Sequence, residues 1–559
     1  MRKAGFLAAA AVLAALAAAG SVAAHHGPMT PMPAIYQGQA DKPGAPVIPG
    51  LGAHRHPIST RNPRTQMFFD QGVNLLFGFN HAEAIRSFRE AARLDPDCAM
   101  CWWGVAFALG PNINLAMPDD AVAPAWQALQ HAVVLEPKAT PEERGWIEAL
   151  RARYAEHPPA DRSGLDEAFA QAMGRLWRAH PQDLDAGVFY AEAMMDTQPW
   201  DFWAADGKTP KKHAGEIVSV LEYVIRRAPE HPGALHLYIH AVEGSSTPER
   251  AETAADRLET LMPGAGHIVH MPSHIYYRVG RYADSIKVNE AAAKADETYI
   301  AACRAQGFYP AGYYGHNIHF LWASAEMEGR SGAALDAARR LNRAVDVNAL
   351  DAAVPFVELY GLAPVATLVR FGRWREVLAE PAPATSETLD RAVWLFAQGF
   401  ANADLERLDA ARADLARLAA IPPADLARYQ ALPAPQLLAM WKALLAGEIA
   451  RVSGDLPTAV TRFREAQAIQ EALPYTEPPF WHQPVSHLLG AALLEAHRPA
   501  EAEAVYRASL KEYRRDGWAL FGLAQALEAQ GKAAQAAQAQ AQFADAWRFA
   551  DVQLASSRF

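Results

Sequence analysis

A recurring pattern of small and bulky residues constrains the fold of this chain more than any other feature. Small residues at Gly72, Ala84 and Ala91 flank the bulky Phe88, and Pro96 closes the segment. Because glycine and alanine leave room for a neighbouring side chain, these offsets let one helix fold tightly back on the next. The pattern predicts helical hairpins. Comparable sets follow near the other end of the chain, at Gly447, Gly454, Ala459, Phe463 and Ala466, at Gly490, Ala502 and Tyr506, and at Trp518, Gly522, Gly531 and Ala534.

The composition favours helices over sheets. Apolar residues make up 51% of the 559 positions and charged residues 20%, and alanine and leucine dominate the apolar set. The sequence has no long alternating runs of valine, isoleucine and threonine, which are typical of strands. A chain of this length is too long for one compact core. We therefore expect an all-α protein built from several domains or as an extended array.

The small-and-bulky pattern resembles the tetratricopeptide repeat, which places small residues at helix contacts, a bulky residue between them and a proline at the end. The resemblance covers both ends of the chain. In the more divergent middle, the segments 280–282 and 372–374 look like the turn between the two helices of such a repeat. The resemblance implies an α-solenoid of helical hairpins, wound into a right-handed superhelix with a concave groove.

Composition also divides the chain into segments. A basic start at Arg2 and Lys3, an Ala/Leu stretch and small residues before position 25 predict a cleavable signal peptide. We therefore expect a periplasmic or secreted protein with no membrane span after cleavage. The predicted segments are a signal peptide at 1–24, a Pro-rich extended leader at 25–63, N-terminal repeats at 64–157, central His-rich repeats at 158–345, divergent repeats at 346–440 and C-terminal repeats at 441–559.

Charge and cysteine usage exclude some classes of function. The formal net charge is −10, and phosphate binding needs concentrated positive charge, so nucleic acid is not an expected partner. Cys98 and Cys101 follow an apparent helix start and predict a local disulfide or two buried thiols. Trp102 stands where covalent haem attachment requires a histidine.

Histidines on helical spacing carry the main functional signal. Seven of the 20 histidines fall between positions 236 and 319. Offsets of three, four and seven residues place side chains on one face of a helix. The sets are about one repeat apart, so we expect their stripes to face the same groove. They are His236 and His240, then His267, His270 and His274, then His316 and His319.

Imidazoles in this arrangement suit Zn²⁺, Cu²⁺, Ni²⁺ or Fe²⁺, with a carboxylate such as Glu243 or Asp196 as an additional ligand or a ligand-orienting group. The residues between His236 and His240 include no glutamate, so the zinc-protease motif is absent. The alternative interpretation is structural: the histidines pack between helices and hydrogen-bond to backbone or carboxylate groups. Both interpretations remain open at the level of sequence.

Pro272 disturbs the region where histidine is densest. Inside a helix, proline removes a backbone hydrogen bond and clashes with the preceding turn. We expect either a kink or a helix that starts near Pro272 and carries only His274. Further candidates to line the ligand groove are Glu192, Asp196, Trp200, Asp201, Tyr238, Glu243 and Asn317.

The central region also resembles the tetratricopeptide repeat protein 38 family. The similarity spans roughly 200 residues and rests on a His-rich helix in the run from Gly266 to Gly280, followed by a helix with His316-Asn317-Ile318-His319. The resemblance implies a helical-repeat fold for this region and indicates that the histidines of these two helices are important. No particular reaction is implied by the family.

Three functions follow from these observations. The first is an exported scaffold or binding protein whose central groove holds a peptide, a partner protein or a small ligand, with a transition metal bound by the clustered histidines. The second is a metal-dependent enzyme in which Glu192, Asp196 or Glu243 handles protons. The third is a purely structural assembly module with buried histidines.

Overall fold

The computed structural model describes residues 31–305, 308–344, 360–383, 388–427, 429 and 432–559. Regular structure in these residues is helical, apart from isolated bridges at Asn112–Leu115 and Trp203–Pro210. The predicted all-α fold of helical hairpins is confirmed. Within the described ranges, no helix is both long enough and apolar enough to cross a membrane. The predicted signal peptide lies outside the described residues.

The described chain contains 26 α-helices, which we number in chain order. Their bounds are α1 Ala34–Ala40, α2 Pro63–Phe77, α3 His81–Leu94, α4 Ala99–Ala108, α5 Val122–Leu135, α6 Pro141–Arg151, α7 Ser163–Ala179, α8 Leu184–Asp196, α9 Ala214–Arg227, α10 Pro232–Glu243, α11 Glu252–Leu261, α12 Gly266–His270, α13 Pro272–Val279, α14 Tyr282–Cys303, α15 Gly315–Met327, α16 Ser331–Ala344, α17 Ala363–Arg370, α18 Trp374–Ala379, α19 Thr388–Asp404, α20 Leu408–Ala419, α21 Ala434–Val452, α22 Leu456–Glu471, α23 Val485–Glu495, α24 Pro499–Glu512, α25 Gly517–Glu528 and α26 Ala533–Ala546.

Neighbouring helices pack through the small and bulky residues of the sequence pattern. The Phe88 ring on α3 lies between Gly72 on α2 and Gly104 on α4, where an added Cβ would come within 2.4 and 2.6 Å of the ring. The Tyr506 ring on α24 fits between Gly490 and Gly522 in the same way, at 2.2 Å in both cases. Any side chain at these glycines would push the helices apart. The sequence pattern is therefore a packing pattern.

Side chains of the residues that directly precede several helices satisfy backbone N–H groups that have no partner within the helix. Asn80 accepts from Glu83 N at the start of α3. Thr140 and Glu143 form a reciprocal capping box at the start of α6. These caps fix where the predicted hairpins begin.

The chain forms two compact units. Trp103 and Phe189 contribute to the buried core of the first, and Trp441 and Trp518 to that of the second. Unit 1 takes the described residues of the ranges 1–241, 261–265 and 299–307, and unit 2 takes those of 242–260, 266–298 and 308–559.

The leader is more ordered than the sequence predicts. Its described part contains α1, and Met32, Tyr36 and Ala40 are buried. These apolar side chains are four residues apart, which is a helical spacing, but they span only about two turns of a proline-rich segment. That window is too short to predict a helix, which explains why the sequence predicts only an extended chain.

Beyond α1, the leader runs along α2 like a bound peptide. Gln71 donates to the carbonyl of Pro46 at 2.9 Å and accepts from Ile48 N at 2.9 Å. Gln66 makes the same double contact, donating to His56 O at 2.9 Å and accepting from Ile58 N at 3.0 Å. Two glutamine side chains thus supply the backbone hydrogen bonds that an extended segment would otherwise lack.

Cys98 and Cys101 form a disulfide at the start of α4, and both are buried. This is one of the two local arrangements that the sequence predicts. Cys303 has a free thiol and is buried.

Candidate metal centre

The chain breaks its helix at Pro272, in the middle of the histidine-rich segment. Helix α12 ends at His270 and α13 begins at Pro272, while Met271 between them keeps helical dihedral angles of φ −50° and ψ −37°. The break arises because proline has no N–H to donate to the preceding turn. His270 therefore ends one short helix and His274 stands on the next.

The break brings the rings of His270 and His274 together. Their Nε2 atoms are 2.9 Å apart, and both residues are buried. His270 Nδ1 lies 2.6 Å from Asn289 Oδ1. The amide nitrogen of Asn289 donates to the carbonyl of Ser285 at 2.8 Å, which fixes the oxygen of Asn289 toward the ring. His270 thus donates from Nδ1.

His274 has an equivalent partner. Its Nδ1 lies against the carboxylate of Glu243, which is also buried. A proton on Nδ1 of each neutral ring leaves the two Nε2 lone pairs facing each other at 2.9 Å. Two acceptors this close need a positive charge between them.

His316 supplies a third nitrogen to the same point. Its Nε2 lies 3.4 Å from His274 Nε2, and its ring centroid lies 4.8 Å from that of His270. His316 is partly exposed, whereas the other two histidines are buried. It begins the first turn of α15 directly after a π-helical turn at Pro310–Tyr314, a local irregularity that is frequent at functional sites.

Phe320 closes the apolar side of the cluster. It lies one helical turn after His316 and is fully buried. Its ring centroid is 4.9 Å from that of His270, 4.5 Å from that of His274 and 5.1 Å from that of His316. The ring therefore touches all three imidazoles and fixes their positions.

These distances match the coordination of one transition-metal ion. Ligand nitrogens about 2.0–2.1 Å from an ion are about 2.9–3.4 Å apart in octahedral or tetrahedral geometry. The Nε2 of His274 lies 2.9 Å from that of His270 and 3.4 Å from that of His316. Asn289 and Glu243 hold the opposite ring nitrogens, as ligand-orienting groups do in metal sites.

The sequence predicts three histidine stripes on one groove, and the structure assigns the first stripe to unit 1 and the other two to unit 2. Within unit 2, His267 and His319 do not join the three clustered rings as ligands of that point. The His267 ring packs against Tyr313, with centroids 4.7 Å apart. His319 stacks on Trp322, and burial beside His482 lowers the pKa of His319 to about 3.

Asn317 belongs to a neighbouring buried network. It donates to Asp296 at 2.6 Å, and the Tyr309 hydroxyl donates to the same carboxyl at 2.9 Å. Burial raises the pKa of Asp296 to about 7. An added Cβ at Gly266 would lie 2.0 Å from Asp296 Oδ1, so this carboxyl fills the space at the start of α12.

In unit 1, the structure brings His236 and His240 together with aromatic neighbours. Their ring centroids are 4.8 Å apart, and His236 Nδ1 donates to the carbonyl of Phe77 at 2.6 Å. The Trp200 ring lies edge-on to His240 at 5.0 Å, is 42% exposed and has a φ of +62°. Trp200 therefore adopts a backbone conformation that is rare outside glycine.

The carboxylates predicted in unit 1 are engaged elsewhere. Asp196 forms a buried ion pair with Arg153 at 2.7 Å, and burial raises the pKa of Glu192 to about 8 and that of Asp196 to about 7. Asp201 pairs with the exposed Lys211. The hydroxyl of Tyr238 donates to the side chain of Glu222 at 2.9 Å.

Asn289 and Phe320 contact the clustered histidines but were not predicted as site residues. Phe320 follows His316 by four residues, so helical periodicity places it on the same stripe as the ligand. Asn289 lies on α14, 19 residues after His270, whose ring it contacts. Nothing in its spacing distinguishes it from other polar residues.

No protein-family model matches the sequence, and no curated protein matches it. Among solved structures, the human IFIT1 dimer with m7Gppp-AAAA aligns over 89% of this chain and 92% of that chain, at 11% identity and a TM-score of 0.31. Yeast Tom70 aligns over 86% and 91%, at 11% identity and a TM-score of 0.26. The Cut9-Hcn1 hetero-tetramer of the APC/C aligns over 87% and 88%, at 13% identity and a TM-score of 0.23. Similarity at this level assigns neither a family nor a function.

Proposed function

We propose that this protein is an exported helical-repeat binding protein that holds a transition-metal ion through His270, His274 and His316. The convergence of their three Nε2 atoms carries the proposal. A proton between His270 and His274 would relieve the contact of their lone pairs, but it bridges only two acceptors. A metal ion accounts for the third nitrogen as well.

The ligand set limits the metal. Three imidazole nitrogens favour Zn²⁺, Cu²⁺, Ni²⁺ or Fe²⁺ over Mg²⁺ and Ca²⁺, which prefer oxygen. Glu243 balances part of the positive charge through His274, as carboxylates do behind metal-bound histidines. Three protein ligands also leave at least one coordination position for a ligand from solution.

A binding role fits this open position. His316 is the partly exposed member of the cluster, so a ligand would approach from its side. In unit 1, α2 already holds an extended segment through the amide groups of Gln66 and Gln71. Because these amide groups bind the backbone of an extended segment, we expect the partner to be a peptide or protein whose backbone is recognised in the same way.

A metal-dependent enzyme is the second candidate, because a water molecule in the open position would become more acidic. Catalysis would also need a general base. Glu243 is engaged by His274 and orients a ligand instead, which favours the binding role.

Metal analysis of purified, zinc-reconstituted protein tests the site. His316→Ala is the main variant, because this residue is partly exposed and its loss is least disruptive to folding; His274→Ala is the second. We expect each to bind one equivalent of zinc less than the wild type. His497→Asn, an exposed residue of unit 2 with a φ of +57°, is the control and should bind as the wild type does. Equal zinc in the wild type and both alanine variants would refute the site.

Cobalt substitution tests the open position. Imidazole at millimolar concentration should shift the visible spectrum of the Co²⁺-loaded wild type, and the part of the spectrum due to this site should be absent from His316→Ala. An unchanged spectrum would indicate a closed, structural metal. Hydrolysis of an activated ester that is lost in His316→Ala would favour the enzyme.

A further inference from the structure

A separate histidine cluster in unit 1 gathers around one carboxylate. Asp185 stands in the first turn of α8, and His231 directly precedes α10. His54 and His56 come from the leader. His56 Nδ1 lies 2.7 Å from Asp185 Oδ2, while His54 Nε2 and His231 Nε2 lie 3.0 and 2.9 Å from Oδ1. One buried carboxylate therefore faces three imidazoles.

We propose that His54, Asp185 and His231 form a second transition-metal site, independent of the site in unit 2. Two nitrogens and Oδ1 converge with separations of 2.9 and 3.0 Å, which suit three ligands of one ion. The nitrogen His54 Nε2 is buried and lies 3.0 Å from Asp185 Oδ1, but the two groups are poorly aligned for a hydrogen bond. The ring thus approaches as a ligand would, rather than as a donor.

His56 orients the carboxylate for this role. By donating to Oδ2 it leaves Oδ1 to face the other two rings. His231 must move its ring proton from Nε2 to Nδ1 to bind a metal. That change gives up two hydrogen bonds, the one from His231 Nε2 to Asp185 Oδ1 at 2.9 Å and the long one from Ala234 N to His231 Nδ1 at 3.3 Å. The metal ion would take the place of the ring proton at Nε2, between His231 and Asp185.

A cleft gives access to the cluster. It has a volume of about 660 Å³, and its lining includes all three proposed ligands together with Arg55, Glu230 and Met262. An ion can therefore reach the carboxylate from solvent, and its remaining coordination positions face the cleft. Two histidines and one carboxylate with open positions are typical of Fe²⁺ sites and also suit Zn²⁺.

The site would connect the leader to the helices. His54 lies on the extended segment, whereas Asp185 and His231 belong to α8 and to the start of α10. Metal binding should therefore protect the leader from proteolysis. Arg55 and Arg61 are exposed and offer trypsin two cleavage sites in this segment.

Zinc titration of metal-free protein tests the proposal. His54→Ala is the main variant, because this partly exposed residue lies outside the helices; Asp185→Asn is the second. We expect each to lose one equivalent of zinc, and a His54→Ala/His316→Ala double variant to lose two. His157→Ala, an exposed residue of unit 1, is the matched control and should lose none. Zinc should also slow tryptic cleavage after Arg55 and Arg61 at least tenfold in the wild type, with no effect in His54→Ala.

The zinc titrations test the two proposed sites separately. Unchanged zinc in His54→Ala and Asp185→Asn, with zinc-independent cleavage of the leader, would overturn the second site while leaving the loss in His316→Ala intact. The opposite pattern would overturn the site in unit 2 alone.

Discussion

His270 and His274 face each other with their Nε2 atoms 2.9 Å apart, and each ring turns its Nδ1 toward an oxygen acceptor. The contact is unfavourable for two neutral rings in this orientation, since both Nε2 atoms are acceptors. When an ion binds between the rings, both Nε2 lone pairs coordinate it and no longer repel each other. Metal content should therefore be coupled to folding stability.

We expect zinc to raise the melting temperature of the metal-free protein, and a chelator to reverse the change. Free zinc at about 1,000 times its dissociation constant stabilises the folded state by about 4 kcal/mol per site. Differential scanning calorimetry with and without zinc measures the effect. The shift should be smaller in His316→Ala, and an equal shift in that variant would argue against zinc in unit 2.

Glu243→Gln should weaken metal binding without abolishing it. The glutamine oxygen still accepts from His274 Nδ1, but the negative charge behind the ring is lost. Changes to such orienting groups typically reduce affinity by about 10- to 100-fold. Competition with a chromophoric chelator measures the dissociation constant. Glu249→Gln, at an exposed position, is the control; equal affinity in the two variants would contradict the assigned role of Glu243.

Gly266→Ala should destabilise unit 2. The new methyl group would lie 2.0 Å from Asp296 Oδ1 and displace a carboxyl that is hydrogen-bonded and buried. We expect a loss of roughly 1–3 kcal/mol, as for other overpacked sites. Gly164→Ala, where an added Cβ meets no atom within 4 Å, should instead stabilise its helix by up to about 1 kcal/mol. Urea unfolding of both variants tests the contrast, and similar effects would count against the assigned packing.

Glu192→Gln should change how stability depends on pH. Burial raises the pKa of Glu192 to about 8 and that of Asp196 to about 7, above the values in an unfolded chain. The folded state thus binds protons more strongly, and its stability falls as the pH rises from about 4 to about 8. Glutamine has no charge to bury, so the variant should melt about 2–4 °C higher than the wild type at pH 8.5 and near it at pH 5.

The control for this pH series is Glu148→Gln, because Glu148 is 71% exposed. It should follow the wild type at both values. A Glu192→Gln melting temperature that parallels the wild type across the range would show that Glu192 ionises freely in the folded protein.

Thiol titration should find one reactive cysteine in the unfolded, unreduced protein and three after reduction. The chain has three cysteines, of which Cys98 and Cys101 form the disulfide. In the native protein, Cys303 should react slowly because it is buried. Three reactive thiols without reductant would rule out the disulfide.

The helical hairpins could be predicted because their signal is local. Gly72 and Phe88 fall at offsets that bring two successive helices into contact, and the structure places the ring against that glycine. The ordered leader could not be predicted in this way. Its partners Gln66 and Gln71 are ordinary polar residues on a helix, and only the fold shows that they bind backbone.

In the candidate site, too, the features that are close along the chain could be predicted, whereas those that depend on the fold could not. His270, His274 and the disturbance at Pro272 are visible in the sequence, since they are close along the chain. Sequence spacing also gives His316 and His319 equal weight, yet only His316 points into the cluster. The π-helical turn before α15 changes the rotation of that helix, and no local pattern in the sequence marks where such a turn forms.

The docked leader also sets an order of events in folding. Its residues are synthesised first, but Ser59 binds Glu143, 84 positions later, and His56 binds Asp185, 129 positions later. At typical elongation rates, Asp185 is synthesised on the order of 10 s after His56. Contacts between such distant residues form late, because closing the intervening loop costs entropy. During this interval Ser59 and His56 therefore lack these distant partners, and the leader can be held only by contacts close in sequence, such as those with Gln66 and Gln71.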